Sequence, residues 1–128
     1  MTGRVVLIED NPMHGKLYCA ALQASGFLPH HVLDPMLALS EIANSDAAAV
    51  IVDIRLPHMD GRTIIRQVRE DRATRLLPIV AVSAFADQGT EETCLDAGAD
   101  RFRAKPVRLA TLARDIKQLI KARETRTG

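Results

Sequence analysis

Four short apolar segments of this chain each end in a side chain suited to phosphate chemistry. Arg4-Val5-Val6-Leu7-Ile8 runs into Glu9 and Asp10, and the segment from Ala47 to Val52 runs into Asp53. Ile79-Val80-Ala81-Val82 runs into Ser83, and the segment around Phe102 runs into Lys105-Pro106. If these are neighbouring parallel strands, their carboxyl ends line one crevice, where open α/β sheets bind ligands. Three carboxylates, a hydroxyl and an ammonium then converge. Such a set can hold a divalent metal and bind a phosphoryl group.

Each residue type has a distinct part in that chemistry. Consecutive acids such as Glu9 and Asp10 repel one another, and a cation between them relieves the repulsion. Magnesium prefers oxygen ligands, keeps several waters and takes one or two carboxylates directly, which suits Asp10 as a ligand with Glu9 acting through water. Asp53 closes the most apolar segment and is a candidate nucleophile, because carboxylates attack phosphorus to give aspartyl phosphates. A metal would offset repulsion between that carboxylate and the phosphoryl oxygens. Ser83 offers a hydrogen bond to a phosphoryl oxygen, and Lys105 a compact positive charge. The Lys105-Pro106 bond is a candidate for the cis form in a tight turn.

The elements that must position these residues are legible in the periodicity. Asn11 caps a first helix, Pro12 suits its first turn, and Met13, Leu17, Ala20, Ala21 and Ala24 recur at helical spacing before Gly26 ends it. Gly15 inside that helix weakens it by about 1 kcal/mol relative to alanine, so packing must compensate. A strand over 27–32 follows, and Asp34-Pro35 opens a second helix carrying Met36, Leu37, Leu39 and Ile42 and ending near Asn44. The third strand, about 48–53, is continuously apolar and therefore central. Leu56 to Gly61 reads as a loop, with Asp60 capping a helix that bears Ile64, Ile65 and Val68. Pro78 starts the fourth strand. A weakly amphipathic fourth helix over 88–97 offers Cys94, Leu95 and Ala97 to the core and ends at Gly98. Arg101-Phe102-Arg103-Ala104 reads as an edge strand guarded by its arginines. Leu109, Leu112, Ile116, Leu119 and Ile120 make a strong final amphipathic helix.

Five strands and five helices in alternation predict a doubly wound (βα)5 sandwich of the α/β class, with right-handed crossovers placing helices on both faces. No repeat or linker divides the 128 residues, so 1–128 reads as a single domain with no output domain. The net charge of +1 lacks the basic footprint of a nucleic-acid binder. The basic tail of Lys117, Lys121, Arg123 and Arg126 suits a helix C-terminus. The apolar runs are too short to span a bilayer. Cys19 and Cys94 lack zinc spacing and read as small hydrophobes in a reducing compartment. With the N-terminus entering a strand directly, without a signal peptide, a cytoplasmic location is expected. His30 and His31 point to opposite faces of a strand and cannot chelate one metal. His14 and His58 are expected at the surface.

Taken together, Glu9-Asp10, the run from Ile51 to Gly61, Val82-Ser83-Ala84, and Lys105-Pro106 preceded by Phe102 resemble the receiver domain of two-component response regulators over nearly the whole chain. The resemblance implies a flavodoxin-like five-stranded parallel sheet of order 2-1-3-4-5. It implies that Asp53 accepts a phosphoryl group from a sensor histidine kinase or histidine phosphotransfer protein. Mg2+ would be bound by Asp10, Asp53 and the backbone carbonyl of Arg55, with Glu9 helping. It gives Ser83 and Phe102 a switching role: Ser83 moves toward the phosphoryl group, Phe102 rotates inward, and the surface of the fourth helix, fifth strand and fifth helix changes for a downstream protein target. Phe102 stands where tyrosine is frequent, and Ser83 where threonine is commoner.

Glu9-Asp10-Asn11 and the run from Val82 to Ala86 are most similar to stand-alone regulators of the DivK or chemotaxis-regulator type, acting as a monomer or a phosphorylation-dependent homodimer. Met1 and the short basic end read as a full-length chain. A phosphate shuttle or sink in a phosphorelay, and a receiver cut from a hybrid kinase, are the alternatives. Phosphatases that form aspartyl phosphate commonly carry an Asp two residues after the nucleophile. Arg55 stands there, so slow self-dephosphorylation is the most that is expected. Neither G-x-x-x-x-G-K-[ST] nor G-x-G-x-x-G occurs, which argues against nucleotide binding.

Overall fold

A computed structural model describes residues 3–85 and 87–127. Met1, Ala86 and the side chain of Arg126, all drawn on above, lie outside the described residues. Five parallel strands form the main sheet: β1 (Arg4–Ile8), β2 (Leu28–Val32), β3 (Ala49–Asp53), β4 (Ile79–Ser83) and β5 (Arg101–Ala104). Their order is β2-β1-β3-β4-β5, the order that the resemblance implied. The helices are α1 (Pro12–Ala24), α2 (Ala38–Asn44), α3 (Gly61–Glu70), α4 (Gln88–Ala97) and α5 (Leu109–Thr127).

The two-residue period of the strands splits the core in two. Val6, Ile8, Val50 and Val52 face one side, where Ile42 of α2, Ile64, Ile65 and Val68 of α3, and Cys94 and Ala97 of α4 cover them. Val5, Leu7, Ala49 and Ile51 face the other, against Tyr18 and Leu22 of α1 and Leu112 and Ile116 of α5. Strand β3 is buried at every position, as a central strand covered on both faces must be. Asn11 caps α1 by accepting from Met13 N and His14 N, and Asp60 caps α3 by accepting from Arg62 N.

Several expectations about faces are corrected. Met13 and Leu17 are 70% and 53% exposed, and α1 instead buries Gly15, Tyr18 and Leu22. The cause is His31, whose ring lies where a Cβ at Gly15 would be, so the helix approaches β2 along its glycine. Pro35–Leu37 winds as a 3-10 turn before α2, which changes the helical phase. Ala38 and Ile42 are therefore buried while Met36, Leu37 and Leu39 are exposed. Leu95 is exposed beside the buried Cys94 and Ala97. Strand β4 begins at Ile79, after Pro78, whose carbonyl accepts from Val50 N. The stretch read as a loop pairs Arg55–Leu56 with Met59–Asp60 as a short antiparallel ribbon, turning at His58 with φ 60°.

The arginines of β5 do more than guard an edge. Arg101 Nη1 donates to Asp115 Oδ1 at 2.6 Å, and Arg103 donates to the same carboxylate through Nε and Nη2 at 2.7 and 2.8 Å. Asp115 is buried on α5, so this fork fastens the edge strand to the last helix. Burial alone would raise the Asp115 carboxyl, but hydrogen bonds from Arg103 and Arg101 outweigh it and hold it below its ordinary value.

Two stability predictions follow from these contacts. Gly15→Ala improves helix propensity by up to about 1 kcal/mol but displaces the His31 ring, an overpacking cost of about 1–3 kcal/mol. A net loss is expected in urea unfolding, and in a His31→Ala background the same change becomes stabilising. For Asp115, a lowered pKa means that its stabilisation is complete above the ordinary value of 3.8 and is lost as pH falls through the lowered one. Asp115→Asn is expected to cost about 1–3 kcal/mol at neutral pH, with the difference from wild type shrinking in acid.

Candidate functional site

Parallel register brings the strand ends level. Ile8 pairs with Val52, Asp53 with Val82, and Ser83 with Ala104, so Glu9, Asp53, Ser83 and Lys105 meet at one rim. The Lys105 Nζ donates to Glu9 Oε1 and to Asp53 Oδ2, each at 3.0 Å. The remaining oxygens are also held: Asn11 N donates to Glu9 Oε2 at 3.1 Å and Arg55 N to Asp53 Oδ1 at 3.2 Å. Glu9 and Asp53 are 1% and 4% exposed, whereas Asp10 is only half-buried. One carboxylate oxygen from each of Glu9, Asp10 and Asp53 lies within 4.8 Å of the others, a spacing that could hold a hard cation.

The electrostatics follow from burial. Desolvation pushes the Glu9 carboxyl up, and the bond from Lys105 pulls against it without cancelling it. Desolvation would lower Lys105, but its bonds to Asp53 and Glu9 raise its pKa above the ordinary value, so it is fully cationic. The cleft above, about 480 Å³, is lined by Asp10, His14, Asp53, Arg55 and Lys105 among others.

The other sequence candidates lie around this centre. Ser83 is buried, and its Oγ accepts from Phe85 N at 3.1 Å. The Lys105-Pro106 peptide is cis, and Lys105 N donates to Ser83 O at 2.8 Å, continuing the ladder between β4 and β5. Phe102 is half-buried against the core on the α3–α4 side. The Arg55 backbone reaches the site through its amide bond to Asp53.

Sequence reasoning missed three supporting residues. His31 Nε2 donates to the Glu9 carbonyl at 2.8 Å and so fixes the backbone beneath the acid pair. Gly61 lets α3 start against the end of β3: a Cβ there would lie 2.5 Å from Asp53 O. The exposed His14 places Nδ1 4.0 Å from Glu9 Oε1. The available signals were the glycine three residues before Tyr18 in α1 and the glycine directly after Asp60. His30, on the opposite face from His31, pairs with Glu41 at 2.9 Å.

Comparisons with known proteins agree with this geometry. The sequence pattern described as the response regulator receiver domain matches residues 5–117. The polar-differentiation response regulator DivK of Brucella ovis is 28% identical over 120 residues, 94% of this chain and 98% of DivK. The receiver domain of a Pseudomonas aeruginosa sensor histidine kinase, solved with magnesium coordinated in its active site cleft, is 33% identical with a TM-score of 0.85, covering 94% and 99% of the two chains. A sensor protein from Polaromonas is 32% identical with a TM-score of 0.86, covering 94% and 98%. A CheY-like receiver from Methanospirillum hungatei, 22% identical with a TM-score of 0.90 and covering 98% and 99%, shares the fold.

The ammonium bridge yields a metal-linked prediction. Lys105→Met leaves two buried carboxylates without their cation and is expected to lower stability by about 3 kcal/mol in metal-free buffer. Added Mg2+ is expected to raise Tm more in Lys105→Met than in wild type, because the cation then meets a more negative site.

Proposed function

Because the chain belongs to the response regulator receiver domain family, we propose that it is a Mg2+-dependent phosphoacceptor in phosphorelay signalling, with Asp53 as the acceptor. The observation that carries the reading is Lys105 Nζ, 3.0 Å from both Glu9 and Asp53, with a carboxylate oxygen of Asp10 within 4.8 Å of theirs. The Asp53 carboxylate so held lines the floor of the cleft.

In the proposed reaction an Asp53 oxygen attacks phosphorus of a phosphohistidine donor. The P–O bond forms as the P–N bond breaks, and the electron pair returns to the donor imidazole. Bound Mg2+, held by Asp10, Asp53 and the Arg55 carbonyl with Glu9 assisting, would supply charge neutralisation between nucleophile and phosphoryl oxygens. Lys105 binds a phosphoryl oxygen of the product. Ser83, one ladder rung from Asp53, turns its hydroxyl toward the new group. Phe102, half-buried, moves inward behind it, and the α4–β5–α5 surface changes for a protein target. A two-state element biased by one added charge is sufficient for such an output. Arg55 in place of a general acid is consistent with an acceptor whose self-dephosphorylation is slow.

The donor is a sensor histidine kinase or a histidine phosphotransfer protein, and the protein acts as a monomer or as a phosphorylation-dependent homodimer. Among the described residues no helix is long and apolar enough to cross a membrane, in keeping with a cytoplasmic place of action. A second reading is a shuttle or sink within a relay or a receiver of a hybrid kinase; the hybrid-kinase form is supported by two solved relatives above 30% identity, a sensor histidine kinase receiver and a sensor protein.

Intact-protein mass after Mg2+ and acetyl phosphate tests the acceptor. One phosphate adduct is expected on wild type, lost in mild base, and none on Asp53→Asn. An equal adduct on Asp53→Asn, or none on folded wild type with either acetyl phosphate or a phosphohistidine donor, would overturn the reading.

A further inference from the structure

Arg55 lines the acidic cleft, and its guanidinium has a partner of its own. Its carbon is 4.1 Å from the centroid of the Phe85 ring, a cation–π contact between the loop after β3 and the loop after β4. Both ends of the contact are wired to the site. The Arg55 amide donates to Asp53 Oδ1, and the Phe85 amide donates to Ser83 Oγ. Arg55 lines two clefts, one with Glu9, Asp10 and Asp53 and the other with Ser83, Phe85 and Thr90.

Two further facts make this contact exchangeable. Among the described residues no carboxylate pairs with Arg55, in contrast to Arg62, Arg69, Arg101 and Arg103. Phe85 is 52% exposed, so about half of its surface is open to solvent. Arginine stays charged at any relevant pH and presents a planar fork suited to phosphoryl oxygens. A charge-assisted bond to a phosphoryl oxygen is stronger than an exposed cation–π contact.

We propose that Arg55 is a second phosphoryl-binding cation that exchanges partners. It stacks on Phe85 while Asp53 is free, and it pairs with a phosphoryl oxygen once Asp53 is modified, uncovering the Phe85 ring beside α4. The inference rests on Asp53 being the acceptor. It adds to that reading a surface change that begins on the side chain of Arg55 and needs no movement of the sheet. The product of the exchange is a more exposed aromatic ring just before the N-terminus of α4.

Beryllofluoride with Mg2+ tests the exchange, since a BeF3 group on a carboxylate oxygen stands in for a phosphoryl group. Bound fluorine resonances report occupancy of Asp53, and Arg55 side-chain proton shifts report stacking. In free wild type those protons are expected upfield from the ring current, and they move to ordinary positions as the bound fluorine signal grows. Phe85→Leu removes the competing ring, so its Arg55 shifts are ordinary from the start and half-saturation falls roughly two- to fivefold, the factor matching an exposed cation–π contact. Arg55→Ala, which keeps the backbone carbonyl, raises half-saturation. Bound fluorine with unchanged upfield shifts, or equal half-saturation in Phe85→Leu and wild type, overturns the exchange alone. No bound fluorine in wild type overturns the acceptor reading and the exchange with it.

Discussion

Everything at the site depends on one ammonium held between two buried carboxylates. Removing Glu9 and Asp53 from water is unfavourable for each, and their proximity adds repulsion. Lys105 makes the arrangement tolerable by donating to both at 3.0 Å. With Asp10 counted, three carboxylates gather around that one ammonium. Such a gathering suits a divalent cation, and the oxygens available to it are of the kind that magnesium selects.

That ion pair exists because the sheet is in register. Lys105 and Glu9 are far apart in sequence, and they meet only because β1, β3, β4 and β5 end at the same level. The supporting contacts are made by backbone groups: Asn11 N to Glu9, Arg55 N to Asp53, and Lys105 N to Ser83 O. The His31 ring, admitted by Gly15, and the approach of α3, admitted by Gly61, fix the same rim from below. Side-chain identity is thus decisive at the rim, while absence of a side chain is decisive directly behind it.

The strand ends were readable because a continuously apolar run followed by an acid has few structural explanations, as at Val52-Asp53. The Asn11 and Asp60 caps were readable for the same local reason. Helix faces were harder. Met13 and Leu17 look like core on periodicity, but the core face of α1 runs through Gly15, Tyr18 and Leu22 because His31 comes from another strand. No one-dimensional pattern reports that. Asp115 was missed although it stands next to Ile116 within an apolar stripe, a place where a carboxylate needs a partner. Its arginines were assigned to edge protection, when both bond to it.

The two strands that flank the site differ in how firmly they are held. Every residue of β3 is buried, whereas β5 lies at the sheet edge and is nowhere fully buried. Amides in the first should exchange with solvent only when the whole fold opens, and those in the second through smaller, local openings. Asp53 closes the rigid strand and Lys105 follows the looser one. Their bond is therefore a seam between a slow-opening unit and a fast-opening one, and a charge added at the seam is felt first on the side that yields.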